Sequence, residues 1–143
     1  MSTPRIVILE SDAEIAESYA VMTQLRPHLS RPDFVPRIRR QMTQGYRLAA
    51  LYDGDSVKAV AGFRMLENLY AGVHMYVDDL VADENSRSQG YGGALFDWLV
   101  RYARKNACAQ LHLDSGVQRF AAHRFYLEKR MQIVSHHFSL ELT

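Results

Sequence analysis

Arg87-Ser88-Gln89-Gly90-Tyr91-Gly92-Gly93 joins a β-rich run, Met75 to Ala82, to a run with helical periodicity, Ala94 to Lys105. A glycine-rich turn between strand and helix points several backbone N–H groups at one place, where the helix dipole adds partial positive charge. Such a place suits a phosphate. Gly90, Gly92 and Gly93 let the backbone approach an anion with no Cβ in the way. The stretch has neither the Lys-Ser/Thr of a P-loop nor the G-x-G-x-x-G spacing of a dinucleotide fold. Taken alone, it favours the phosphate reading over the plainer one of a helix start softened by glycine. Arg87 and Gln89 flank the turn, Arg87 either as a phosphate contact or as a solvated loop charge.

Outward from this turn the chain alternates cleanly. Ile6 to Leu9 reads as a short strand, and Ser11-Asp12-Ala13-Glu14 as a capping box that opens a helix ended by Pro27. Asp33 to Gln44 reads as a second helix, stopped by Gly45. Tyr46 to Tyr52 and Val57 to Leu66 are β-rich and joined by Asp53-Gly54-Asp55, a strong hairpin signal. His74 to Ala82 is a third long strand. After the glycine turn, Leu95, Phe96, Leu99, Val100 and Ala103 fall at helical spacing. Cys108 to Leu113 then reads as a strand, Arg119 to Lys129 as a helix and Ile133 to Leu142 as a final strand. The order β-α-α-β-β-β-α-β-α-β, with no repeat or linker, predicts a single domain over residues 1–143. Its fold class is mixed α/β (α+β), with a central, mostly antiparallel mixed sheet flanked by helices.

Composition narrows the function. The 143 residues carry 17 Lys plus Arg against 16 Asp plus Glu, so the chain lacks the basic excess that phosphate-backbone binding needs, and nucleic acid is not the expected ligand. Arginine is nonetheless clustered, at Arg37, Arg39 and Arg40. No apolar run approaches the length of a signal peptide or a membrane span, so a soluble cytoplasmic domain without a membrane partner is expected. Cys108 is the only cysteine, which excludes an intrachain disulfide and fits a reducing compartment. It reads as a packed thiol. The six histidines show no ligand spacing, so no metal site is expected.

Two segments together carry a family resemblance. Leu80-Val81-Ala82-Asp83 followed by R-x-x-G-x-G resembles the pyrophosphate-binding motif of the GNAT family of N-acetyltransferases, which hold acetyl-CoA there. Ala121-Ala122-His123-Arg124-Phe125-Tyr126-Leu127-Glu128-Lys129 resembles the A-x-x-F-Y segment on the last helix of the same family, at the family's spacing from the first motif. The resemblance is good over Asp78 to Met131 and weaker elsewhere. It implies the GNAT-like acyl-CoA acyltransferase fold and acetyl-CoA as cosubstrate. It further implies that Arg87, Ser88, Gln89, Gly90, Tyr91, Gly92 and Gly93 hold the pyrophosphate, while the backbone of Leu80 and Val81 pairs with the pantetheine arm. His123 to Leu127, followed by a His-Phe-Ser strand, is similar to the aminoalkylphosphonate acetyltransferase branch, although fold-level analogy does not fix a substrate.

The implied activity is transfer of an acetyl group from acetyl-CoA to a primary amine of a small molecule. A protein or peptide amine as acceptor and a non-catalytic acyl-CoA-binding module are the alternatives. An amine attacks a thioester only when neutral, so a base has to take its proton, and the leaving thiolate gains from an acid. The resemblance gives the second role to Tyr126. A thiol titrates near 8.5 and a tyrosine near 10, so full proton transfer to the thiolate would be uphill by roughly 2 kcal/mol, and hydrogen bonding is as good a description. For the base, strand alternation places Asp79 with Val77 and Val81 on one face, and Asp78 with His74, Tyr76 and Leu80 on the other. Asp79 on an apolar face and Asp78 beside a polar set are both candidates, as is a bound water. Two departures from the family pattern stand out. Arg130-Met131 replaces Gly-Phe after the last helix, so a left-handed cap there is not expected. Arg119 replaces an Asn that contacts the cofactor in many relatives. A homodimer is a further possibility, through the final β segment and the sheet edges.

Overall fold

The computed structural model describes residues 3–143. The chain falls into two compact units, one ending at His112 and the other beginning at Leu113. The first contains β1 (Arg5–Ile8), α1 (Asp12–Glu17), α2 (Tyr19–Leu25), α3 (Arg31–Met42), β2 (Arg47–Asp53), β3 (Ser56–Asn68), β4 (Gly72–Ala82), a 3-10 turn (Glu84–Ser86), α4 (Tyr91–Lys105) and most of β5 (Gln110–Leu113). The strands form one mixed sheet in the order β1-β2-β3-β4-β5, with antiparallel pairing from β1 through β4 and α4 as the crossover to β5. The predicted fold class holds.

Local chemistry sets the helix limits. Ser11 and Glu14 close the capping box, the Ser11 hydroxyl accepting from the Glu14 amide and the Glu14 carboxylate from the Ser11 amide. The single helix predicted after it is interrupted at buried Ser18, whose hydroxyl donates to the Ile15 carbonyl at 2.7 Å and competes with the helical backbone. α2 stops at Leu25 because Arg26 precedes Pro27 and is pushed out of helical geometry, to φ −120° and ψ 71°. On one face of the sheet, Ile15, Met22, Phe34 and Ile38 of the three helices pack against Leu48, Ala50 and Val60. On the other, Phe63 meets Trp98 and Tyr102 of α4 edge-on, above buried Leu95 and Leu99.

One irregularity decides where the polar side chains go. Phe63 faces Val77 and Gly62 faces Asp79, so Asp78 is an extra residue in β4 without an opposite number, a β-bulge. Strict alternation fails there. Tyr76 lies opposite Arg64, Asp79 opposite Gly62 and Val81 opposite Val60, all on the face covered by α2 and α3. The Asp78 carboxylate reaches Arg64 on that face too. The expectation that Asp78 and Asp79 look opposite ways is therefore corrected, and Leu80 leaves the Tyr76 face for the other one. His74 does not join the polar set either. It is buried, with Nδ1 2.9 Å from the Gly72 carbonyl and its ring 5.0 Å from that of His112.

The second unit contains α5 (Phe120–Glu128). It ends in a left-handed cap at Arg130 (φ +70°), with the Met131 amide on the Tyr126 carbonyl and the Arg130 amide on that of Leu127. The expectation that the helix ends differently without glycine is corrected: the left-handed cap forms and the carbonyls are satisfied at the steric cost of an arginine there. The predicted strand Ile133 to Leu142 is also corrected. Those residues pair with no strand, and Phe138, Leu140 and Leu142 are each more than 80% exposed, although they alternate as a strand would. Alternation records a face available for burial, whereas a strand also needs a partner for its amides. Among the described residues, no helix is long and apolar enough to cross a membrane.

Candidate functional site

A cavity of about 400 Å³ opens between α2, α3, Tyr46 and the bulged part of β4. Asp78 and Asp79 both line it. The Asp79 carboxylate is fully engaged: Oδ1 accepts from Arg26 Nε at 2.8 Å and Oδ2 from the Tyr46 hydroxyl at 2.8 Å. Arg26 reaches it as a consequence of the Pro27 helix stop, and its other arm donates to the Asp78 carbonyl at 3.0 Å. Tyr46 is buried, and burial followed by the Asp79 charge pushes its hydroxyl well above the ordinary tyrosine value, so it remains a donor. Among the described residues Asp78 accepts from Arg64 alone, Nη2 to Oδ2 at 2.9 Å with Nε near both oxygens. Its carboxyl is raised above the usual range, burial outweighing the Arg64 hydrogen bond and charge.

Gly62 makes this arrangement possible. A Cβ there would stand 1.7 Å from the Tyr46 oxygen and 2.3 Å from Cζ, so only glycine leaves the tyrosine its path to Asp79. Tyr46, Arg26, Arg64 and Gly62 were not legible as site residues. Their roles depend on which residues face one another across β3 and β4. The one usable signal was Arg26-Pro27, since an arginine forced off a helix end is free to reach elsewhere. Arg37 was visible only as part of a basic cluster. The structure divides that cluster: Arg37 lines the cavity, Arg39 pairs with Asp12 at 2.7 Å and Arg40 is exposed.

The glycine turn opens α4 as expected, three residues earlier than predicted. Gly90 is its N-cap at φ +80°, and Tyr91, Gly92 and Gly93 form the first turn, whose amides have no intrahelical acceptor. Ser88 is also left-handed, at φ +75°, while Arg87, Ser88 and Gln89 are exposed. The Tyr91 hydroxyl is committed to the Asp53 carboxylate. Gly92 lies beside the end of β4, where an added Cβ would sit 3.5 Å from that of Ala82. β5, four residues long, meets β4 at Val73, where the Ala109 amide donates to the Val73 carbonyl at 2.7 Å. Four residues span only about 13 Å, against roughly 23 Å from Val73 to Leu80, so β5 does not reach Leu80 or Val81. First-turn amides without an intrahelical acceptor, with no Cβ at Gly90, Gly92 and Gly93, fit a diphosphate, and the β4 edge beyond β5 fits an amide-bearing arm.

In the second unit Tyr126 is half-buried on α5, and burial raises its hydroxyl above the ordinary value while Arg119 acts in the opposite direction. Cys108, 3.2 Å from the Met65 sulfur, has its thiol pushed up by burial, as suits a packed residue. Among the described residues, no three His, Cys, Asp or Glu side chains gather as a metal site would require.

The family model of the acetyltransferase (GNAT) family matches residues 13–131, most of the chain and both motifs. The chain belongs to the GNAT family of acetyltransferases. It is 37% identical over 122 residues to the uncharacterized N-acetyltransferase YhdJ of Bacillus subtilis, covering 85% of this chain and 86% of that one. Two solved structures share the GNAT fold. A GNAT family acetyltransferase of Staphylococcus aureus superposes with a TM-score of 0.82 at 15% identity over 99% of this chain and 100% of that chain. The aminoglycoside N-acetyltransferase AAC(6')-Iy in complex with CoA gives 0.85 at 9% identity over 99% and 95%. At these identities the superpositions concern the fold alone.

Proposed function

We propose that this GNAT acetyltransferase moves the acetyl group of acetyl-CoA to a primary amine of a small molecule, with the β4 cavity as the acceptor site. The observation that carries this reading is the bulge at Asp78, which turns two adjacent carboxylates into one cavity of about 400 Å³. That volume falls within the usual range for a small-molecule pocket. The AAC(6')-Iy neighbour acts on an aminoglycoside, as its name states, which is consistent with a small-molecule acceptor here.

The amine nitrogen attacks the thioester carbonyl, the C–S bond breaks, an amide forms and CoA leaves as the thiolate. Asp78 takes the proton that the amine sheds. Its raised pKa brings it closer to that of a useful base, and Arg64 is the sole donor on its oxygens among the described residues. Asp79, with both oxygens committed to Arg26 and Tyr46, holds the cavity wall in place. The amides of Tyr91, Gly92 and Gly93, flanked by Arg87, Ser88, Gln89 and Gly90, receive the diphosphate of acetyl-CoA, and the Leu80-Val81 backbone receives its arm. Tyr126 supports the departing sulfur by donating a hydrogen bond, because its raised pKa disfavours outright proton transfer. Incubation with acetyl-CoA and a panel of primary amines, followed by mass spectrometry of the amines, tests the proposal. Mass gain by one acetyl group supports it, and an unmodified panel alongside an acetylated peptide set would transfer the activity to protein acceptors.

A further inference from the structure

We propose that the acceptor amine also carries an anionic group, which Arg37 holds in the β4 cavity. This rests on the acetyl-transfer reading for the other end of the molecule, but it is argued from charge alone. Two pairs account for most of the charge at the cavity: Arg26 with Asp79 at 2.8 Å and Arg64 with Asp78 at 2.9 Å. Arg37 is left over. It is half-buried on α3, lines the cavity, and has no hydrogen bond or ion pair among the described residues. Arg26 and Arg37 line the cavity with Asp78 and Asp79, and Arg64, not itself a lining residue, pairs with Asp78, so three guanidinium groups meet two carboxylates and one positive charge is in excess. A partly desolvated guanidinium without a counter-ion is unfavourable, and its planar fork of donors matches a carboxylate or phosphate in bidentate fashion.

The same charge balance disfavours polycations. Both carboxylates already hold an arginine, so a second or third ammonium on the acceptor finds no unpaired acid in the cavity and meets Arg37 instead. The acceptor class is therefore a small amine with a carboxylate or a phosphate at its far end, rather than a polyamine. The two anion types share the chemistry that Arg37 recognises, and the length and charge of the far group separate them.

The test compares four probes in the thiol-release assay: β-alanine, O-phosphoethanolamine, n-propylamine and spermidine. An anionic amine should exceed propylamine and spermidine in kcat/KM by about tenfold or more, the size expected of one charge-assisted contact. Whichever of β-alanine and O-phosphoethanolamine is the better substrate identifies the anion. Arg37→Gln should remove most of that preference through KM, Arg37→Lys should restore part of it, and Arg40→Gln, an exposed site on the same helix, should leave it intact. Equal use of propylamine, a preference for spermidine, or an Arg37→Gln variant that discriminates like wild type would overturn the inference. Calorimetric binding of the same four amines keeps the question open to decision if no amine is acetylated. That result would contradict the proposed function, while tighter binding of an anionic amine that Arg37→Gln abolishes would still support the anion site, and its absence would refute it.

Discussion

The Tyr46 hydroxyl occupies the space that a side chain on Gly62 would fill, with its oxygen 1.7 Å from the position of the missing Cβ. From there it donates to Asp79, which faces Gly62 across the β3–β4 pair. A glycine in the middle of a long strand, ordinarily a weak point, is thus the condition for a buried phenol to reach the cavity wall. Tyr46→Phe keeps the ring and removes one hydrogen bond to a charged group, so a loss of about 1.5–3 kcal/mol in urea unfolding is expected. Gly62→Ala meets a rigid ring rather than a flexible tip, and should cost at least as much and lower acetyl transfer as well. A Gly62→Ala protein as stable and active as wild type would remove Tyr46 from the site.

The raised carboxyl of Asp78 gives a pH dependence with a defined sign. As the base, Asp78 works only when ionised, so kcat/KM should rise with pH through a value above the usual 3.9 of aspartic acid. Asp78→Asn should lower kcat/KM and abolish that limb, whereas Asp79→Asn should retain it. Stability runs the other way. The folded chain holds the Asp78 proton more tightly than the unfolded chain, so this group's stabilising contribution is complete below the unfolded pKa and is lost as pH rises through the folded one. Thermal unfolding across that window should show a steeper fall for wild type than for Asp78→Asn.

At the α4 start, the cleanest substitution is Gly92→Ala. Its Cβ would make an ordinary 3.5 Å contact with Ala82, and its backbone is helical rather than left-handed, so the fold should tolerate it. Acetyl-CoA affinity should nevertheless drop by about tenfold, or 1.4 kcal/mol, because the methyl group stands over the amides. Calorimetry on the folded variant decides, and unchanged affinity would place the diphosphate elsewhere.

Tyr126→Phe preserves the half-buried ring on α5 and removes the hydroxyl. A positioned donor at a leaving group typically contributes about 10²–10⁴-fold, so kcat should fall by at least tenfold while acetyl-CoA affinity changes little. A Phe variant with wild-type turnover would reduce Tyr126 to packing.

Much of the fold was legible because it depends on local chemistry. Ser11 and Glu14 announced a helix start, Asp53-Gly54-Asp55 a hairpin, and Gly90 to Gly93 the turn into α4. The site was legible only as residue types. Asp78 and Asp79 were identified, but their common orientation depends on a bulge set by pairing with β3, which no periodicity within β4 reveals. Arg26, Arg64 and Tyr46 come from three other segments and gain meaning only through that pairing. Arg130 shows the same limit at a helix end: the capping hydrogen bonds around it accompany a conformation that its own preference opposes. At Ile133 to Leu142, the alternating pattern was real, yet pattern alone does not provide a strand's partner.

The most direct test of acetyl transfer at the β4 cavity is stoichiometric. Purified protein is supplied with acetyl-CoA and an amine acceptor, and free thiol and N-acetyl product are measured in the same sample. Thiol and amide should appear in equal amounts, release should depend on the amine, and Asp78→Asn should slow both together. Tight acetyl-CoA binding without amine-dependent thiol release, or thiol release in Asp78→Asn at the wild-type rate, would contradict the account.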